Sequence, residues 1–226
     1  MMNNKFRFSY GCIMMVLMLS LSSCTKTKTT YFPNGKLQSV ITYKGSKENG
    51  LSQYYEEHYG KIELEIEMKS GKKEGKSTRY YLNGEIECAS FYKNDLLEGK
   101  QLYYTPMGQT TMEINYHQGL REGDYKEWHV PSANVKVSGH YKNDLMSGRW
   151  EYFDERDVLV GEGNFTDGTG TLLGYDAHGN LIRKTEYKKG FKDGLETYYD
   201  DGGEVSKTIL YHQEEIVEIN GEKVER

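Results

Sequence analysis

The sequence predicts an all-β fold, an elongated antiparallel meander of stacked β-hairpins with about 24 residues per unit. Three observations carry this prediction: a glycine that returns at a nearly constant interval, a period-two alternation of side chains, and the composition. The chain contains 20 Tyr and 25 Gly but only 3 Pro, and 36% of its residues are hydrophobic. Such a composition is typical of strands and tight turns around a thin apolar layer that tyrosine rings can cover.

The first observation is a glycine that opens each unit, at intervals of 25, 24, 24, 25, 22 and 24 residues. These glycines are Gly50, Gly75, Gly99, Gly123, Gly148, Gly170 and Gly194. A period of this length marks a repeat architecture, in which each unit contacts only its neighbours. Gly99–Asp124 is one complete copy, and the unit that begins at Gly170 is the most degenerate.

The second observation is an alternating segment that follows a second glycine in six of eight copies, with Ala133 and Asp157 in the glycine's place in the other two. Residues two, four, six and eight positions later share one face of a strand. The first of these is aliphatic in seven of eight copies, and the last is aromatic in seven of eight. This pattern predicts about 15 strands, which at roughly 4.8 Å each give a sheet about 70 Å long.

Each opening glycine is followed by a short segment that ends in aromatic residues. The candidate binding surface comprises Tyr54, Tyr55, Tyr80, Tyr81, Tyr103, Tyr104, Trp128, Tyr152, Phe153, Tyr198 and Tyr199. Because neighbouring side chains of a strand point to opposite faces, the two rings of a pair lie on different faces. The rings either form structural ladders or leave one ladder open to a partner. The second unit has one extra residue before its tyrosine pair, which predicts a bulge or a looser turn there.

The amino terminus has the features of a targeting segment. Residues 1–23 combine a basic start at Lys5 and Arg7 with a ten-residue apolar run, as in a signal peptide. The run ends in Leu-Ser-Ser-Cys24, which resembles a bacterial lipobox. That resemblance implies a lipid on Cys24, a polar tether over 24–30, and a membrane anchor. An ordinary secretory signal with a chance cysteine is the alternative.

The anchor, if present, places the protein in a bacterial cell envelope. The residues after Cys24 are Thr25 and Lys26, which give no acidic inner-membrane retention signal, so the outer membrane is favoured by analogy. Cys88 is the single cysteine that remains in the folded part, and it cannot form an intramolecular disulfide.

The segments Tyr31–Leu37, Tyr43–Gly45 and Gly50–Tyr55 resemble the bacterial variant of the MORN repeat, and the same signature returns at Tyr81–Ile86. The resemblance covers residues 31–212, in about seven to eight units, and leaves 213–226 as an acidic cap hairpin or tail. It implies stacked hairpins that serve as a binding or scaffolding surface. Some relatives carry an antitoxin label, and eukaryotic MORN proteins are linked to membrane phospholipids.

The sequence argues against several other chemistries. Gly71–Ser77 looks like a phosphate-binding loop, but it has three residues between its glycines instead of four and precedes a strand. His117 and His212 occupy a polar turn position that lysines hold in other copies, so no metal site is expected. A formal net charge of −5 without a basic cluster argues against nucleic acid. No cofactor and no catalytic triad are expected.

These features predict a non-enzymatic envelope lipoprotein whose sheet binds or scaffolds a protein partner. An immunity-like or antitoxin-like inhibitor of a toxin is the first alternative, and a glycan-binding module is the second. The protein is expected to be monomeric. The departures from the repeat at Ala133 and over 157–175 are expected to carry specificity, because only differences among copies distinguish one unit from another.

Overall fold

The computed structural model describes residues 25–224, which form one antiparallel sheet of 19 strands. This confirms the predicted all-β meander of hairpins. The predicted signal peptide (1–23) and the predicted lipidation site Cys24 lie outside the described residues. Within residues 25–224 there is no helix long and apolar enough to cross a lipid bilayer.

The strands follow one another along the sheet in chain order. The first half comprises β1 (Thr25–Tyr31), β2 (Leu37–Lys44), β3 (Lys47–Tyr55), β4 (Ile62–Lys69), β5 (Lys72–Tyr80), β6 (Ile86–Lys93), β7 (Leu96–Leu97), β8 (Gly99–Tyr104), β9 (Thr110–His117) and β10 (Leu120–Trp128). The second half comprises β11 (Val135–Lys142), β12 (Leu145–Phe153), β13 (Leu159–Thr166), β14 (Thr169–Tyr175), β15 (Leu181–Lys188), β16 (Phe191–Tyr199), β17 (Val205–His212), β18 (Glu215–Ile219) and β19 (Glu222–Lys223).

Strands β7 and β8 are two parts of one line, because both pair with β6 and only Glu98 separates them. The predicted 15 strands correspond to β2–β17 with this line counted once. At the carboxyl end, β18 and β19 form a hairpin that continues the sheet.

The interpretation of residues 24–30 as a tether is wrong for the described part. Thr25–Tyr31 forms β1, which pairs with β2 from Thr25↔Lys44 to Tyr31↔Leu37. The alternation of threonine and lysine in this segment suits an exposed edge strand, because β-branched threonine favours strands and lysine discourages edge-to-edge pairing. The segment therefore belongs to the first repeat.

The opening glycines mark a bulge within each hairpin. In β4–β5, Met68 pairs with Lys73 while Ile66 pairs with Ser77, so the second strand carries two extra residues around Gly75. Gly75 has a φ of 115°, and six of the seven opening glycines have a positive φ, a region that glycine enters without steric cost. Gly170 is the exception, because β13 and β14 pair without a register shift. This hairpin lacks the two extra residues of the bulge, which explains why the interval from Gly148 to Gly170 is 22 residues instead of 24.

The turns at the opposite ends of the strands explain the two 25-residue intervals. In a turn of the common length, the Tyr81 amide donates to the Glu85 carbonyl at 2.8 Å, four residues later. The Glu56 amide donates to the Lys61 carbonyl and the His129 amide to the Asn134 carbonyl, each five residues later, so these two turns are one residue longer. Residues at the second-glycine position are left-handed even where glycine is missing. Ala133 has a φ of 62° and Asp157 a φ of 66°, against 90° for Gly84.

The register shifts just before Tyr80, where the sequence predicted a bulge, but the preceding unit has the same shift between Tyr54 and Tyr55, so an extra residue is not its cause. Arg79 pairs with Cys88 and Tyr80 with Ile86, as Tyr54 pairs with Leu64 and Tyr55 with Ile62 in the preceding unit. Tyr80 is therefore equivalent to Tyr55, and Arg79 takes the place of the first tyrosine. The second unit contains a substitution and no insertion.

Adjacent units are joined at the two-residue turns. The Asp144 amide donates to the Arg121 carbonyl at 3.0 Å, and the neighbouring Asn143 amide donates to Glu122 Oε2 at 2.8 Å. The residue before the opening glycine makes the same contact in other units, as Glu74 and Glu98 do. Glu74, Glu98 and Glu122, which precede three of the opening glycines, are therefore inter-unit clamps.

The sheet has two unlike faces, which we call the front face, carrying Ile66, and the reverse face. A line of side chains, one from most strands, runs along the middle of the front face. This line, which we call the spine, is Ile41, Ser52, Ile66, Ser77, Ser90, Gln101, Ile114, Tyr125, Gly139, Trp150, Gly163, Leu172, Thr185, Glu196 and Ile209. The buried apolar side chains of the described residues all lie on the front face: Ile66, Ile114, Val137, Trp150, Phe165 and Ile209.

The best-packed region of the front face is an aromatic cluster in the units that depart from the repeat. Val137, Trp150 and Phe165 form its centre, and Trp150 and Phe165 are each only 2% exposed. The rings of Tyr125 and Trp150 stack with centroids 5.5 Å apart. Glycines at 139, 163 and 170 leave room for the Trp150 and Phe165 rings. The glycines in the break over 157–175 therefore allow the aromatic rings of this cluster to pack against the sheet.

Candidate binding surface

The predicted aromatic residues separate into two rows. Tyr54, Tyr103, Tyr152 and Tyr198 lie on the front face. Tyr55, Tyr80, Tyr104, Trp128, Phe153 and Tyr199 end their strands on the reverse face. Tyr81 belongs to neither row, because it lies in a turn and donates its hydroxyl to the Tyr104 carbonyl at 2.7 Å. The expectation that the two rings of a pair face opposite ways agrees with this arrangement, except for Tyr80 and Tyr81, because β5 ends at Tyr80.

The front-face tyrosines support the spine. The Tyr103 hydroxyl donates to Gln101 at 3.1 Å, the Tyr198 hydroxyl donates to Glu196 at 3.2 Å, and Tyr152 stacks on Trp150. Burial raises the pKa of Tyr103 and of Tyr152 to about 12, so both hydroxyls stay protonated at neutral pH. This row is structural.

The reverse-face row is longer than the sequence alone indicated. Tyr31 and Tyr175 occupy the same register position, each paired with the first residue of the following strand. The complete reverse-face row is Tyr31, Tyr55, Tyr80, Tyr104, Trp128, Phe153, Tyr175 and Tyr199. Its members are two strands apart, so successive rings repeat at about 10 Å. A count of aromatic residues placed immediately before each long turn would have found all eight.

Several rings of this row are held in place by polar neighbours on the same face. The Tyr80 hydroxyl donates to Glu65 Oε2 at 2.8 Å, and the Tyr175 hydroxyl donates to Glu162 Oε1 at 3.2 Å. Burial, with the bond to Glu65, raises the pKa of Tyr80. These bonds fix the ring orientations, which lowers the entropy that a partner would have to remove on binding.

Open grooves border the row at alternate units. They lie beside Tyr80, Trp128 and Tyr175, with volumes of about 310, 470 and 350 Å³. Each groove combines an aromatic wall with at least one carboxylate: Glu63 and Glu87 in the first, Glu113 in the second and Glu162 in the third. The row therefore offers repeated apolar walls with acidic borders.

Large apolar side chains are exposed on the same face. Leu51, Phe91, Ile182 and Leu195 are between 42% and 49% exposed, and each alternates with a front-face residue in its strand. In the described part of the chain the sheet is a single layer, so these side chains have no covering element. Exposed apolar groups bordered by polar ones are typical of protein interaction surfaces.

Two segments of the chain match the MORN repeat variant. The matched residues are 26–44 and 73–94, which contain β1–β2 and β5–β6. In the structure, a matched MORN segment is therefore two strands joined by the long turn, with a reverse-face aromatic residue just before that turn. The remaining units have the same strand pairing. A repeat-based binding or scaffolding role agrees with this family.

Comparison with solved structures gives distant likenesses. A TcdB2–TccC3–Cdc42 complex is 12% identical, with 83% of this chain and 14% of that chain covered and a TM-score of 0.20. The Photorhabdus luminescens Tc holotoxin pore is 9% identical, with 84% and 17% covered and a TM-score of 0.15. This chain spans less than a fifth of those chains, and likenesses of this size carry no argument about function. No curated protein sequence matches.

A buried carboxylate on the spine is the feature that sequence reasoning missed most completely. Glu196 is 1% exposed, and its Oε1 accepts hydrogen bonds from Thr185 Oγ1 and Lys192 Nζ, each at 3.0 Å. Its Oε2 accepts from the Tyr198 and Tyr211 hydroxyls, each at 3.2 Å. Burial alone raises the carboxyl pKa, but the bonds from Lys192 and Thr185 outweigh it and lower that pKa below 4.5. Because four donors from neighbouring strands bond to it, the Glu196 carboxylate stabilises the fold.

The histidine and loop candidates behave as turn residues. His117 Nδ1 lies 3.0 Å from Glu98 Oε1, at an inter-unit clamp, and His212 Nδ1 lies 3.7 Å from Asp193. In residues 25–224 no group of three or more His, Cys, Asp or Glu side chains is placed to hold a metal ion. Gly71–Ser77 forms the β4–β5 turn and the start of β5, as the repeat register predicts.

Proposed function

We propose that this protein is a non-enzymatic binding protein of a bacterial cell envelope, anchored by a lipid on Cys24, and that its reverse face holds a protein partner. The observation that supports the proposal most strongly is the reverse-face row, an aromatic ring at the same position in eight consecutive units. The front-face rings pack against the spine and the aromatic cluster, whereas the reverse-face rings border open grooves.

Aromatic residues on a rigid sheet are suited to protein recognition, because large rings add apolar contact area while losing little conformational entropy. Leu51 and Leu195 extend the apolar surface to both ends of the row. Glutamates at the groove borders favour a partner with lysine or arginine beside its apolar contacts. A toxin held inactive by such contacts is one form of this partner, and it agrees with the antitoxin label of some MORN-variant relatives.

The experiment is site-specific photo-crosslinking in the native envelope. A photoreactive amino acid replaces Leu195 on the reverse face, and the matched control replaces Lys207, which is exposed and pairs with the front-face Tyr198. We expect a discrete crosslinked partner from position 195 that is absent from position 207. Trp128→Ala should reduce that crosslink, because it removes the largest ring of the row. Equal crosslinking from both positions would refute the assignment of the face.

The anchor has its own test. Cys24→Ala should move the protein from the membrane fraction to the soluble fraction and should remove incorporation of a labelled fatty acid. Cys88→Ala is the matched control, because Cys88 lies on β6 within the sheet and should leave fractionation unchanged. Unchanged membrane association of Cys24→Ala would refute the lipid anchor while leaving the reverse-face proposal intact.

A further inference from the structure

The front face contains one polar pocket where the spine changes character. Its volume is about 140 Å³, and it is centred on Ser77, Ser90 and Gln101, three consecutive spine residues on β5, β6 and β8. On either side the spine is larger and apolar, with Ile66 before the pocket and Ile114 after it. The pocket lies where Ser77, Ser90 and Gln101 interrupt the line between two isoleucines.

The pocket contains polar groups whose hydrogen-bonding capacity is unused. Ser77, Ser90 and Gln101 are each at most 9% exposed. Gln101 Nε2 donates to Ser90 Oγ at 2.8 Å, and the Tyr103 hydroxyl donates to Gln101 Oε1 at 3.1 Å. Among the described residues, however, no hydrogen bond involves the Ser77 hydroxyl or the Arg79 guanidinium. The Ser77 hydroxyl and the Arg79 guanidinium can therefore bond a polar molecule in the pocket without breaking a hydrogen bond within the protein.

Arg79 is the residue that makes this pocket unlike its equivalents. The corresponding position holds Tyr54, Tyr103, Tyr152 or Tyr198 in four other units, Glu127 in a fifth and Gly174 in a sixth, so no other unit has an arginine there. Arg79 leaves the site open and supplies a charged donor at its border. Ser52 holds the spine position equivalent to Ser77 one unit earlier, so the arginine at 79 is what distinguishes these two units.

The chemistry of the border favours a neutral polyhydroxylated ligand. Arg79 and the Gln101 amide are donors, Glu87 at the edge is an acceptor, and the serine and tyrosine hydroxyls can be either. Because Glu87 offsets the charge of Arg79, a free anion gains little. Leu64 and the Tyr103 ring add apolar wall, which suits the C–H face of a sugar. A volume of about 140 Å³ equals roughly five water molecules, about the size of one sugar ring.

We propose that the pocket between β4 and β8 binds a single saccharide unit through Ser77, Arg79 and Gln101. Ser77 and Gln101 lie on the face opposite the reverse-face row, whereas Arg79 and Glu87 also line the groove beside Tyr80. Gln101→Tyr therefore tests the sugar site without changing a residue of that groove, and it should leave the crosslink from position 195 unchanged.

The test is a titration of the isotope-labelled full-length mature protein with glucose, galactose, mannose and N-acetylglucosamine, each at millimolar concentration, followed by amide chemical shifts. We expect at least one sugar to shift the amides of residues 77, 90 and 101 in a saturable way. Arg79→Gln and Gln101→Tyr should each abolish those shifts. Gln101→Tyr copies Tyr125, the chain's own residue at this spine position, and so fills the pocket with a side chain that the fold already accepts.

The matched control is Lys76→Gln, which removes a cation from the same strand but on the reverse face, and which should bind sugar as the parent protein does. Arg79 is exposed, so Arg79→Gln should stay folded even if Gln101→Tyr does not. The proposal is overturned if none of the four sugars shifts these amides, if both variants bind as well as the parent, or if acetate or phosphate gives the same shifts as a sugar.

Discussion

The indole of Trp150 lies directly against Gly139, so closely that a Cβ atom at position 139 would come within 2.2 Å of indole Cδ2. The Trp150 Nε1 donates to the His140 carbonyl at 3.2 Å, which holds the ring over the glycine. The largest side chain of the spine and the smallest one are therefore a single packing unit. The aromatic cluster exists because glycines form the floor on which its rings lie.

Gly139→Ala should destabilise the protein by about 1–3 kcal/mol, because the added methyl group forces Trp150 out of its position. Gly174→Ala is the matched control. Gly174 also has an ordinary φ and is buried, but a Cβ there meets its nearest atom at an ordinary 3.5 Å. Chemical denaturation followed by tryptophan fluorescence gives both free energies of unfolding. Equal values for the two variants would contradict the assigned contact.

Glu196→Gln should destabilise the protein by about 3 kcal/mol, because it leaves the Lys192 ammonium without its charged partner. The double variant Glu196→Leu with Lys192→Met should recover much of that loss, since Leu172 occupies the equivalent spine position in the preceding unit. Thermal denaturation of both variants provides the comparison. A double variant no more stable than Glu196→Gln would show that the ion pair itself is required.

Stability should also depend on pH through the same carboxylate. Because the pKa of Glu196 is lower in the folded protein than its ordinary 4.5, its contribution is complete above that value and is lost as the pH falls through the folded pKa. The parent protein should therefore lose stability below about pH 4.5 more steeply than the Glu196→Leu, Lys192→Met double variant. Denaturation midpoints measured from neutral to acidic pH test this, and parallel curves would contradict it.

Glu122→Ala should loosen the contact between neighbouring units, because the Asn143 amide loses its acceptor at a cost of about 1 kcal/mol. Hydrogen exchange at residues 143 and 144 should accelerate while exchange in distant units stays unchanged, as expected where each unit contacts only its neighbours. Glu63→Ala, an exposed glutamate outside the clamps, is the control. Acceleration spread over the whole sheet would argue against local coupling.

Ala133→Gly should stabilise the protein by about 0.5–1 kcal/mol, because the left-handed φ of 62° strains alanine more than the extra chain entropy of glycine costs. The change restores the residue that sister turns carry. Ala177→Gly, in a turn where alanine has no positive φ, should be neutral or destabilising. Equal shifts in melting temperature for the two variants would contradict the strain argument.

The sequence predicted the repeat and the strand faces because both depend on local rules. A period-two pattern fixes which side chains share a face, and left-handed glycines fix the turns. The same reasoning misplaced Tyr80 and Tyr81, because a register is set by pairing with β6 and not by adjacency to another tyrosine. It also took Thr25–Thr30 for a tether, since nothing local shows that β2 has a free edge to offer.

By itself the sequence determined the all-β meander, its unit length and the front-face positions. Only the tertiary structure decided which aromatic row packs and which remains open, and why one interval is 22 residues. It also brought Ser77, Ser90 and Gln101 together on three strands and enclosed Glu196 with four donors. The physical reason is that strand order and register join residues 11 to 15 positions apart, and those partners cannot be read from any one strand.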